Sequence, residues 1–124
     1  MEHSQGFLQL VEDAKSRIQE VTVEKAREVL ELFSGDETIL IDVREDHEWE
    51  QGHAKGAEHM GKGIIERDIE KTVPDKQTQI ILYCGGGYRS ALAADALQKM
   101  GYASVSSLAG GWKAWKDSGA PIED

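Results

Sequence analysis

The stretch Ile80-Ile81-Leu82-Tyr83-Cys84-Gly85-Gly86-Gly87-Tyr88-Arg89-Ser90 contains the only cysteine of the chain. An apolar run delivers that thiol to three consecutive glycines, and an arginine follows them. Glycines lack Cβ, so the backbone can turn sharply and bring amide N–H groups together in a concave nest that holds an anion. A helix starting just beyond adds the positive end of its dipole. Such surroundings favour the thiolate, the nucleophilic form of cysteine. A lone cysteine is often no more than a small buried hydrophobe. A strand followed by Cys, three Gly, Arg and a helix is much rarer by chance and specifies an activated sulfur nucleophile. Cys84 is therefore the candidate catalytic residue. The backbone of Gly85, Gly86, Gly87, Tyr88 and Arg89 is the candidate substrate cradle.

The length of the loop narrows the chemistry. Four residues separate Cys84 from Arg89. Cysteine phosphatases follow a similar plan with one residue more, in a wider cradle around a tetrahedral phosphate. A tighter ring of amides suits a smaller group, such as one extra sulfur carried on the cysteine.

The elements that must hold this loop are legible in the hydrophobic pattern. Phe7, Leu10, Val11, Ala14 and Ile18 fall at helical spacing, which predicts an amphipathic helix near 6–18. Thr22 reads as the cap of a second helix striped by Ala26, Val29, Leu30 and Phe33. Thr38–Val43 and Gln79–Cys84 are short, nearly continuous apolar runs, as in strands covered on both faces. Further strands are predicted near Ala57–Met60 and Ala103–Ser107, and helices near 61–71, over Arg89–Met100 and near 110–118. The alternation predicts an α/β fold with a central parallel sheet of four to five strands and helices on both faces. Cys84 then sits at the carboxyl end of a central strand, the edge where open α/β sheets bind ligands.

Composition excludes other classes. With 124 residues the chain is expected to form one domain, and its net charge of −9 makes nucleic acid and anionic membranes poor partners. No apolar stretch approaches the roughly 20 residues of a membrane span. The N-terminal residues do not read as a secretory signal. One cysteine forms no internal disulfide, which suits a reducing, cytoplasmic setting.

Three stretches together resemble the rhodanese family of sulfurtransferases, over about Val21 to Trp115. Asp42–Ala57, "DVREDHEWEQGHAKGA", is similar to the family's first signature. "CGGGYRS" is similar to its six-residue active loop followed by Ser, and "GYASVSSLAGGWKAW" to its C-terminal signature. The departures are His47 where an acid is common, Ala54-Lys55 in place of Ile-Pro, and Gly85 where many members carry an arginine. The resemblance implies a rhodanese-like domain over 21–124, preceded by an N-terminal helical extension over 1–20. It also implies a mechanism in which Cys84 takes the sulfane sulfur of a small anionic donor such as thiosulfate, or of a persulfide. The sulfur then passes from the Cys84 persulfide to cyanide, a thiol or a protein cysteine. No cofactor or metal is implied. A dedicated carrier or sulfur sensor serving a protein partner is the alternative, with phosphatase or arsenate reductase chemistry behind it.

The remaining polar residues divide into candidate contacts and supports. Arg89 is expected either to bind the donor's anionic group or to pair with Asp42 and brace the loop. Arg44 is expected to pair with Glu48 or Glu50. Under the resemblance, His53 packs and hydrogen-bonds, so Asp42, Arg44 and His53 form the structural support. Lys62 is a candidate for the charge missing at Gly85, against the plainer reading of a solvated lysine. Trp112 and Trp115 read as core and pocket wall, and the acidic stretch Glu45–Glu50 as a solvated helix face.

Overall fold

The computed structural model describes residues 3–33 and 37–124. Among them the elements run α1 (Gln5–Lys15), β1 (Gln19–Val21), α2 (Val23–Leu32), β2 (Thr38–Asp42), α3 (Asp46–Glu50), β3 (His53–Ala54), β4 (Glu58–His59), α4 (Ile65–Thr72), β5 (Gln79–Tyr83), α5 (Tyr88–Lys99), β6 (Val105–Leu108), α6 (Gly111–Asp117) and β7 (Ile122–Glu123). Five strands form a parallel sheet in the order β1-β6-β5-β2-β4, and β3 pairs antiparallel with β7. The α/β architecture with a central parallel sheet is as the apolar runs predict. None of the helices described is long and apolar enough to cross a membrane.

The period of two along the central strands separates the protein into two cores. Ile80, Leu82 and Cys84 belong to one, with Ile41 from β2, Val43 just after it, Ile65 and Ile69 from α4, and Ala93, Ala94 and Leu97 from α5. Ile81 and Tyr83 belong to the other, with Leu40, Ala26 from α2 and Trp115 from α6. Cys84 thus continues the row that faces α5.

The helix starts follow local rules. The hydroxyl of Ser4 accepts the Phe7 amide at 3.1 Å, and that of Thr22 accepts the Lys25 amide at 3.1 Å. The first helix lies against α5, burying Val11 and Ala14, and Arg17 just beyond it grips Asp95 at 3.0 and 2.9 Å. Helix α4 starts at Ile65 and not near 61, because the Lys62 amide is turned to the Val43 carbonyl at 3.0 Å. Strands β1, β3 and β7 are absent from the sequence reading. They have only two or three residues each, too few for a period to register.

Two features set the sheet edge where the loop begins. The first is a buried ion pair. Arg44 donates to Asp42 from its backbone N–H at 2.8 Å and from its guanidinium at 2.8–3.1 Å, then caps the Gly52 carbonyl at 2.7 Å. Both side chains are buried. The partners differ from the expectation of Glu48 or Glu50 for Arg44, and of Asp42 for Arg89. Asp42 ends β2 inside the core, and a residue two positions on is the one whose side chain folds straight back onto it. The second is the start of α6. The Trp112 amide donates to the Cys84 carbonyl at 2.7 Å and the Lys113 amide to the Gly85 carbonyl at 3.2 Å. This approach needs Gly110 and Gly111, at φ of +76° and +53°. A Cβ on Gly111 would overlap the Cys84 carbonyl oxygen and lie 2.9 Å from the Gly85 carbonyl.

Gly111→Ala is expected to lower stability by about 2–4 kcal/mol, since strained φ and backbone overlap coincide. A urea midpoint within error of the native one would contradict the close approach. Arg44→Ala should cost about 3–5 kcal/mol in the same measurement, by leaving the Asp42 charge buried and unpaired. Arg44→Lys should restore only part of that, because an ammonium has no fork for the carboxylate. A loss below about 1 kcal/mol for Arg44→Ala would show the pair to be dispensable.

Candidate active site

Strand β5 ends at Tyr83, and Cys84 follows with its sulfur buried at the floor of a cavity of about 530 Å³. Sγ accepts the Gly87 amide at 3.1 Å and the Ser90 amide at 3.4 Å, and lies 3.5 Å from the Ser90 hydroxyl. Gly87, at φ +102°, directly precedes α5. The sulfur therefore meets the unpaired N–H groups at a helix N-terminus, where negative charge is stabilised.

The remaining loop amides are aimed by peptide planarity. No peptide bond among the described residues is cis, so each carbonyl and the N–H of the following residue point opposite ways. Helix α6 holds the carbonyls of Cys84 and Gly85 on the outside of the loop. The N–H groups of Gly85 and Gly86 accordingly point away from α6.

Arg89 lines the same cavity as Cys84 and is paired there with an acid. Its guanidinium meets the Glu48 carboxylate at 2.8 and 3.2 Å. Glu48 also accepts the Glu45 amide at 2.9 Å, capping α3. Arg89 first, then the backbone N–H of Glu45, hold the Glu48 carboxyl down to about 2 against the opposing effect of burial. Glu48, and to a smaller extent the Cys84 sulfur, raise Arg89 further above its ordinary range. The Glu45–Glu50 stretch is thus not a merely solvated face, since Glu48 braces the loop arginine.

Of the other sequence candidates, Tyr88 lines the cavity and Gly85 sits beside it with room limited by Arg89, 3.2 Å from a Cβ built there. Lys62 does not join them. Its ammonium lies 3.9 Å from Glu66. His53 is buried, bonded through Nδ1 to the Trp49 carbonyl at 3.1 Å and stacked on the Trp49 ring at 3.4 Å between centroids. Trp115 is core, donating to the Pro121 carbonyl at 2.7 Å. Trp112 covers Arg44 at 4.7 Å and lines a separate cleft, so it is not a wall of the cysteine cavity.

Four residues escaped the sequence reading. Ser107 holds the Ser90 hydroxyl at 2.8 Å, fixing the side chain that faces sulfur. Glu48 orients Arg89. His3 and Phe7 line the cavity from the N-terminal segment, some 80 positions from the loop in the chain. Only the acidic character of Glu48 offered a signal. Nothing local marks the other three as neighbours of a cysteine.

Comparison with known proteins places the chain in a family. The model of the rhodanese-like domain matches residues 25–118. The chain is 33% identical over 106 residues to a putative mitochondrial thiosulfate sulfurtransferase of Schizosaccharomyces pombe, covering 76% of this chain and 75% of that one. It is 32% identical over 89 residues to the thiosulfate sulfurtransferase GlpE of Coxiella burnetii, covering 72% and 81%. Among solved structures, a protein of unknown function from Rhodopseudomonas palustris, described as a possible tyrosine phosphatase, superposes with a TM-score of 0.87 at 30% identity, over 99% and 98% of the two chains. The polysulfide-sulfur transferase homodimer of Wolinella succinogenes gives a TM-score of 0.80 at 27% identity, over 96% and 88%. A cysteine loop gripped from outside by a helix, in a chain matched by the family model over most of its length, makes this protein a member of the rhodanese-like sulfurtransferase family.

Proposed function

We propose that the protein moves a sulfane sulfur from thiosulfate or a persulfide donor to a thiophilic acceptor through a Cys84 persulfide. The observation that carries this reading is the sulfur under the loop, with backbone N–H groups on it and the loop carbonyls turned away. The Cys84 thiolate attacks the outer sulfur of the donor. The donor's S–S bond breaks, its electron pair leaves with sulfite, and a new S–S bond joins the sulfur to Cys84. The terminal sulfur then carries the negative charge among the loop N–H groups, preorganised to receive it. Cyanide, a small thiol or a protein cysteine attacks that terminal sulfur, and the pair of the breaking S–S bond returns to Cys84. With a single cysteine in the chain, the sulfur leaves to another molecule. Double displacement of this kind requires no cofactor.

The likeness to a structure described as a possible tyrosine phosphatase brings phosphate-ester hydrolysis forward as the second reading. Two features weigh against it. The loop is six residues long, and its arginine is already paired with Glu48. A dedicated carrier would share the persulfide and differ only in turning over slowly with free thiosulfate.

Cys84→Ser should lower thiocyanate formation by about three orders of magnitude or more while the melting temperature stays near the native value. On mixing with thiosulfate, the native protein should gain the mass of one sulfur and the variant none. Activity in Cys84→Ser above a tenth of native would sink the assignment. An aryl phosphate hydrolysed by the native protein faster than sulfur is transferred would replace it with the phosphatase reading.

The Glu48–Arg89 pair gives a pH signature. Glu48 sits at about 2 when folded against 4.5 ordinarily. Its contribution is therefore fully present above pH 4.5 and lost as the pH falls from there toward 2. Glu48→Gln should cost about 1–2 kcal/mol at pH 7, after allowance for partial exposure. The gap between native and variant should close across that acid window. A gap independent of pH in urea titrations would show that the ion pair is not its source.

A further inference from the structure

The cavity above Cys84 is far larger than a thiosulfate ion requires, and its upper wall is aromatic. His3 and Phe7 reach into it from the N-terminal segment and meet Tyr88 of the loop. The ring centroids lie 4.8 Å apart for His3–Tyr88, 5.2 Å for His3–Phe7 and 6.3 Å for Phe7–Tyr88. Lys15, at the end of the same helix, places its ammonium 5.3 Å from the Tyr88 ring centre. The wall is held in place by the buried Val11 and Ala14 against α5, by the Arg17–Asp95 pair and by Gln98 donating to the Arg17 carbonyl at 2.9 Å. It is thus a preorganised surface. The lining also carries Glu45, His47 and Glu48, and Glu48 already neutralises Arg89. Gly85 supplies no side-chain cation. The lining therefore offers aromatic area and little free positive charge, the reverse of what a small inorganic dianion needs.

We propose that the N-terminal helix is a specificity element, and that His3, Phe7 and Tyr88 select sulfur donors carrying an apolar or aromatic body on the group that departs. The inference rests on the sulfurtransferase reading and deepens it. Benzenethiosulfonate is a suitable probe. Cys84 takes its outer sulfur, the S–S bond breaks, and benzenesulfinate leaves with the electron pair. Methanethiosulfonate has the same charge and the same sulfonyl chemistry, and differs only in lacking the ring.

The test compares kcat/KM for these two donors, with cyanide as acceptor, in the native protein, Phe7→Ala and Phe7→Leu. Phe7→Leu retains apolar volume and so controls for loosening of the helix, which the melting temperature also reports. Removing the ring should reduce the benzene-to-methane ratio about fivefold in both variants, as expected for loss of one aromatic contact. A ratio unchanged from native, or equal losses for both donors, would overturn the proposal. A second readout needs no sulfur transfer. Benzenesulfinate should shield Cys84 from iodoacetamide better than methanesulfinate does, and the difference should shrink in both variants. If the native protein accepts sulfur from no donor yet this difference holds, the aromatic wall stands and the sulfurtransferase reading falls. Equal shielding by both sulfinates in the native protein would remove the wall itself.

Discussion

The site depends on two backbone hydrogen bonds that reach it from outside. The first turn of α6 donates to the carbonyls of Cys84 and Gly85, and trans peptide planarity then fixes the direction of the next N–H groups. A helix N-terminus has several N–H groups without intrahelical partners, usually satisfied by a side-chain cap. Here no side-chain cap is made at Gly110, and the donors are spent on the cysteine loop. The arrangement fixes the glycines at 110 and 111, since a Cβ on the second would occupy the space of the carbonyl being held. It also ties the end of β5 to the helix on the opposite face of the sheet from α5, so both layers of the fold converge on one loop.

Charge around the loop is managed by keeping each arginine with its own acid. Arg44 belongs to Asp42 in the buried edge of β2, under the rings of Tyr83 and Trp112. Burial, and then the neighbouring Asp42 carboxylate, push the Tyr83 hydroxyl well above its ordinary range, so it stays neutral and accepts the Ala54 amide at 3.0 Å. Arg89 belongs to Glu48, whose second task is to cap α3. These pairs hold backbone segments in register around the cavity. The N–H groups that meet the Cys84 sulfur come from the backbone, fixed in direction and without a mobile counter-charge of their own.

Much of this was legible in local sequence. The two apolar runs, the Thr22 cap and the Gly-rich turn after Cys84 each follow from rules that act within a few residues: period, capping and the freedom of a residue without Cβ. They placed Cys84 at the carboxyl edge of a central parallel strand. Together with the three family signatures, they pointed to sulfur chemistry. The errors share one origin. The exchange of partners between Arg44 and Arg89, the orientation of Lys62 toward Glu66 and the separation of Trp112 from the cysteine cavity all concern where long side chains end up.

The sequence alone determined the place of the lone cysteine, the length of its loop and the layered sheet that carries it, because these are set by residue type and short-range periodicity. Only the tertiary structure decided which acid each arginine serves, that Ser107 steadies Ser90, and that His3 and Phe7 share a cavity with Cys84. Except for Arg44 and Asp42, two positions apart, where several acids compete for one arginine, those contacts join residues 17 to 81 positions apart. Charge and hydrophobicity show that a side chain needs a partner. Which partner it meets is settled by how the helices pack on the sheet.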